Sequence, residues 1–167
     1  MNDKVMKKIK IISCLVTIGI MVLIFYFSSQ NSAESSKVSS GITKKLVELV
    51  TSVSHLSAEE KQMIIETIHG IIRKIAHFTI YASLGMSAFV SIKLITQKKK
   101  TVVFAITAGF CMLYAISDEL HQLFSTGRSG EIRDVLIDTA GAVTGILFLL
   151  IAAAAIKRII NRRRSVI

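Results

Sequence analysis

Proline and tryptophan are missing from all 167 residues, and cysteine occurs only twice. Without proline nothing in the chain forces a stop or kink inside a helix, so its apolar runs can form long uninterrupted helices. Cys14 and Cys111 both fall inside apolar runs, at no spacing that suggests a metal site or a disulfide framework, and they read as small hydrophobes. Acidic residues are scarce, 11 against 21 Lys and Arg, for a formal charge of +10. The excess positive charge brackets the apolar blocks and forms no stripe on a soluble face, which argues against a nucleic-acid partner. Gly-rich phosphate loops, C-x-x-C pairs, G-x-S-x-G elbows and internal repeats are also lacking, and with them the common signatures of nucleotide, redox and hydrolase chemistry.

What is present is apolar length. Hydrophobic residues make up 51% of the chain, gathered into four runs at about residues 11–27, 75–95, 101–117 and 134–156. At about 1.5 Å per residue the fourth crosses a hydrocarbon core of roughly 30 Å; the first and third are short and need flanking residues to complete the crossing. The first follows Lys7, Lys8 and Lys10 like a signal anchor, with no convincing cleavage site after it. Ile11-Ile12-Ser13-Cys14 has the look of a lipobox, but the apolar region lies after the cysteine instead of before it. The expected fold is a single all-α domain over residues 1–167: an integral membrane bundle of four transmembrane helices, with membrane lipid as its first partner.

Lys4, Lys7, Lys8, Lys10, Lys93, Lys98 to Lys100, Lys157, Arg158 and Arg162 to Arg164 fall on one side of these runs, with Asp3 as the only acid there. The positive-inside rule puts that side, and both termini, in the cytoplasm. Four crossings also require the termini to share a side. Residues 28–72 and 118–133 are then extracytoplasmic.

The outer segment 28–72 opens with a Ser-rich, polar stretch. From Ile42, residues Leu46, Leu49, Val50 and Val53 recur at helical spacing opposite Lys44, Lys45 and Glu48, predicting an extra outer amphipathic helix between the first and second spans. Ser57 and Glu60 have the spacing of a capping box, and a helix starting there runs through Ile64, Ile65, Ile68, Ile71 and Ile72 into the second span.

Polar residues interrupt the apolar runs at three places. Arg73, His77 and Tyr81 are four apart and share an arc of about 80° on the second span, with Lys74 beside them. Alone, the two cations read as interfacial anchors and Tyr81 as a packed ring, but His77, a turn deeper, needs a polar partner. Asp118, Glu119, His121 and Gln122 end the third run, and Arg128, Arg133, Asp134 and Asp138 lead into the fourth. Asp134, Asp138, Gly141 and Gly145 form one stripe about 60° wide, and the glycines at i and i+4 let another helix approach closely. Ionisable groups at this depth are costly and are candidates for function. All three sets fall at one membrane level, so the bases can neutralise the acids as internal glue or leave cations free for an anion. No pair has zinc-motif spacing; no metal or other cofactor is expected.

Arg73-Lys74-x-x-His77-Phe78-x-x-Tyr81, Ser117-Asp118-Glu119-x-His121-Gln122-x-Phe124, Gly127-Arg128, Asp134-Val135-x-x-Asp138 and Gly141-x-x-x-Gly145 together resemble the signature of VanZ-like membrane proteins. The Ser28-Ser29-Gln30 turn is also similar, and the likeness spans residues 25–148. Asp138 departs from the pattern, in which Asn is common. The resemblance implies a role in a bacterial, Gram-positive cell envelope, related to teicoplanin resistance by the family's namesake, and supplies no established reaction.

Three readings follow. In the first, an outward-facing pocket of Arg73, Lys74, His77, Tyr81, Asp118, Glu119, Gln122, Arg128, Arg133, Asp134 and Asp138 binds an anionic ligand such as an envelope lipid. In the second, a membrane enzyme acts on a lipid-linked cell-wall precursor, with His77 or His121 as acid or base beside Asp118 or Glu119. In the third, the network only holds a structural bundle together.

Overall fold

Each long apolar run forms one continuous helix in the computed structural model, which describes residues 2–29, 57–123 and 131–164. The four helices are α1 (Asp3–Ser29), α2 (Ala58–Thr96), α3 (Lys100–Gln122) and α4 (Ile132–Arg164). All four are long and apolar enough to cross a membrane. The start of α1 is capped by Asn2, whose side-chain oxygen accepts the N–H of Lys4 at 3.1 Å. At α2 the capping box is complete: Ser57 N–H donates to Glu60 Oε2 at 2.8 Å, and Glu60 N–H donates to Ser57 Oγ at 3.3 Å. This closure starts the helix well ahead of the second apolar run. At 39 residues α2 is about 58 Å long, and its first turns extend beyond the level at which α1 and α3 end. The turn from α2 to α3 is tight. Gln97 takes the left-handed conformation at φ 53° and donates its N–H to the carbonyl of Lys93, while the Lys93 ammonium donates to the carbonyl of Lys98.

The expected architecture of four spans plus a fifth, amphipathic helix is corrected to four long apolar helices. No fifth helix occurs among the described residues, and the 42–53 pattern on which it rested lies outside them. The isoleucines at 64–72 of the outer segment belong to α2, because the Ser57 cap makes them the opening turns of the same helix as the second span.

Burial follows the helical period on every element. On α3 the buried residues are Val103, Thr107, Cys111, Ala115, Asp118, Glu119 and Gln122, a stripe at intervals of three and four that widens to two neighbours at Asp118 and Glu119. On α4 they include Asp138, Ala142 and Ile146, and on α2 Tyr81, Leu84, Ala88 and Phe89. The core is thus small and partly polar, whereas the outer surface carries large aliphatic and aromatic groups, Leu113 69% exposed and Phe148 67%. In water such a surface would be a liability; in lipid it is the expected exterior, and helix association then rests on close packing and buried polar contacts.

The closest packing joins α2 to α4, the most extensive helix contact in the bundle. Gly141 lies against Phe78, Gly145 against Ala82, and Gly85 against Ala142, backbone to backbone. α1 is tied on by polar contacts spread along its length: Thr17 Oγ1 to Ser91 Oγ at 3.0 Å, the Tyr114 hydroxyl to the Met21 carbonyl at 2.7 Å, and Ser28 to α3.

Candidate functional site

Because α1 and α3 end where α4 begins, the C-terminal turns of the first two, the N-terminal turn of the last and the middle of α2 meet at one end of the bundle. The polar residues of all four helices gather there. Asp118 is 3% exposed; its Oδ2 accepts the Ser28 hydroxyl at 2.7 Å and the Gln122 amide at 3.3 Å. Oδ1 of the same carboxylate is buried and has no hydrogen-bond partner among the described residues. Asp138, 0% exposed, faces His77, with Nδ1 and Oδ2 3.5 Å apart, and has no other partner among those residues. Gly141 and Gly145, on the same stripe, bring α4 close enough to α2 for this meeting. The result is a convergence of His77, Asp118 and Asp138 from three different helices, with potential ligand atoms all within 4.8 Å of one another.

Around this centre the other residues take separate places. Glu119 accepts the backbone N–H of Glu131 at 2.9 Å and the Gln122 amide at 3.2 Å, so it latches the end of α3 to the residue that precedes α4. Lys74 and Asp134 form an ion pair at 3.5 Å, longer than a direct charge-assisted hydrogen bond. Arg73, Lys74, His77, Gln122, Asp134, Ile137 and Asp138 line a crevice of about 10 Å3, room for roughly one water. The Tyr81 hydroxyl is fully buried without a hydrogen-bond partner among the described residues, within electrostatic reach of Asp118 and Asp138.

Of the residues singled out by sequence, the structure brings together Arg73, Lys74, His77, Tyr81, Asp118, Gln122, Asp134 and Asp138. His121 stacks its ring on Phe25 with centroids 4.4 Å apart and stays within electrostatic reach of Asp118 without joining the donors of His77, Asp118 and Asp138. Arg133 is exposed and lines no part of the crevice. Arg128 lies outside the described residues. Ser28 enters as an Asp118 partner that sequence reasoning read only as part of a turn; a serine closing an apolar helix was the one available signal.

A bundle with large aliphatic groups outside and acids, an imidazole and an amide gathered inside one end is a multi-pass α-helical membrane protein. The chain matches VanZ/LLP1 over residues 13–153, most of its length, and belongs to that family. No curated protein and no solved structure matches it.

Proposed function

We propose that this protein is an envelope-facing membrane receptor for an anionic lipid headgroup, bound at the mouth of the crevice. The observation that carries the reading is Arg73: it lines the crevice and has no ion-pair partner among the described residues, whereas the neighbouring Lys74 is held by Asp134. An unpaired guanidinium at a membrane boundary is a bidentate contact for phosphate. With about 10 Å3 inside, a headgroup sits at the mouth and not within. The same figure disfavours a membrane enzyme, for although His77 has an orienting carboxylate in Asp138, no room for a substrate adjoins it among the described residues. The charge bias of the loops supports cytoplasmic termini and an outward-facing site. The natural ligand on this reading is a lipid phosphate of the Gram-positive envelope, which gives glycopeptide resistance a physical route through precursor binding.

Purified protein in neutral phosphatidylcholine nanodiscs is expected to retain a polyprenyl phosphate, and Arg73→Glu to lose at least about tenfold in affinity. Lys61→Glu, an exposed charge on the same helix outside the crevice, serves as the control. Equal retention by Arg73→Glu and wild type would remove the proposal. Orientation has its own test: with Cys14→Ala and Cys111→Ala as background, Glu131→Cys is expected to react with a membrane-impermeant maleimide on intact cells. Labelling only after lysis would reverse the topology.

A further inference from the structure

Among the described residues the charges under the crevice do not balance. Asp118 and Asp138 are both buried and each has an oxygen with no hydrogen-bond partner among the described residues; of the described basic side chains His77 stands at ion-pair distance from Asp138, and His121 lies in the wider field of Asp118. Lys74 is engaged at the mouth with Asp134. Among the described residues, two buried carboxylates with one imidazole at ion-pair distance are an arrangement that favours a cation in a low-dielectric interior. A dication with a neutral imidazole balances the pair.

From this geometry we infer that His77, Asp118 and Asp138 form a site for a single divalent first-row metal ion. Two carboxylates and one imidazole are a hard-to-borderline donor set, suited to Mn2+ or Zn2+ and unsuited to soft Cu+. Donor atoms within 4.8 Å of one another surround a point that one ion can occupy. Around an ion with bonds of about 2.1 Å the donors sit roughly 3.4 Å apart, so binding draws them inward from their present spacing. A space of about 10 Å3 beside them accommodates a water on the ion's open side.

Two further features point to the same ion. Ser28 and Gln122 both bond Oδ2 of Asp118, which orients the carboxylate and leaves Oδ1 free, the arrangement by which outer groups position a metal ligand. The Tyr81 hydroxyl, wholly buried and without a hydrogen-bond partner among the described residues, lies in the field of the same two acids, where an ion or its water would give it one. Glu119 is not among the convergent donors, and each of its oxygens already accepts a hydrogen bond, from Gln122 and from the Glu131 amide. This site stands independently of the headgroup reading, since it concerns the floor of the crevice and not its mouth.

The test is Mn2+ binding to the full chain, purified in detergent and stripped with EDTA, followed by electron paramagnetic resonance. One Mn2+ per chain is expected, with the nitrogen coupling of a single imidazole and a rise in thermal midpoint; Zn2+ displaces it. Asp118→Asn and His77→Gln are each expected to weaken binding at least about tenfold, and Gln122→Ala, which removes the amide that bonds Asp118 Oδ2 and Glu119 but no proposed ligand, by about tenfold. Glu66→Gln, remote from the site, leaves it unchanged. Absence of nitrogen coupling in the wild type overturns the inference without reference to any variant. So does Mn2+ affinity that is the same in wild type and in a folded His77→Gln/Asp118→Asn double variant. Polyprenyl phosphate retention by the EDTA-stripped protein separates the two proposals: retention without metal binding sinks this one alone, and metal binding without retention sinks the other alone.

Discussion

Gly145→Leu is expected to unfold or disperse the bundle, with a loss of at least about 3 kcal/mol, because the obstruction it creates is backbone and not side chain. A Cβ at Gly145 falls on the carbonyl group of Ala82, 2.7 Å from its carbon and 2.8 Å from the Ala82 Cα. A clashing side chain can rotate away, but a helix backbone moves only as a unit. α2 and α4 therefore have to separate along a contact that also includes Gly141 on Phe78 and Gly85 on Ala142. Separation loses the dispersion contacts that replace hydrophobic attraction between helices in lipid, and it pulls Asp138 away from His77. Gly109→Ala is the contrasting case. Its added methyl meets nothing within 4 Å, so removing a mid-helix glycine stabilises by up to about 1 kcal/mol. Unfolding in mixed micelles with increasing SDS, followed by circular dichroism, measures both. A Gly145→Leu midpoint equal to wild type would mean that α2 and α4 do not pack through this stripe.

The stripe containing Gly145 is legible in the sequence because a helix turns about 100° per residue, so Asp134, Asp138, Gly141 and Gly145 share a face whatever surrounds them. The Ser57 capping box is legible for a similar reason, being local chemistry between residues three apart. Sequence periodicity does not identify which neighbour a face meets. His121 and Gln122 sit on opposite sides of the Asp118 direction by modest angles, yet one stacks on Phe25 of α1 and the other reaches the crevice. Ser28 and Asp118 are 90 residues apart, and no spacing rule connects them. The same limit hides the convergence of His77, Asp118 and Asp138, whose donors come from three helices and match no short ligand motif. The expected fifth helix has a different origin: it rests on the periodic signal at 42–53, outside the described residues, whereas the helix expected from the Ser57 cap into the second span is the opening of α2.

Breaking the His77–Asp138 pair from one side only is the second large effect. In EDTA-containing buffer, so that only the pair is probed, His77→Leu is expected to cost about 3 kcal/mol, because it leaves a fully buried carboxylate with no partner among the described residues. Asp138→Leu costs less, about 1–2 kcal/mol: a neutral imidazole that is 19% exposed at its side chain can turn toward the crevice and find water. The double variant His77→Leu/Asp138→Leu removes both the partner and the stranded charge, and its cost is expected to fall below that of His77→Leu alone. The resulting coupling of about 2 kcal/mol is readable from the same SDS titrations as a double-mutant cycle. The sign decides between two physical pictures. A double variant less stable than His77→Leu means that Asp138 is stabilised by something other than His77. A double variant more stable than His77→Leu means that the stranded carboxylate carries the penalty of the single change, and one more stable than wild type means that the pair is retained at a cost in stability, as expected where buried charges are kept for what they bind.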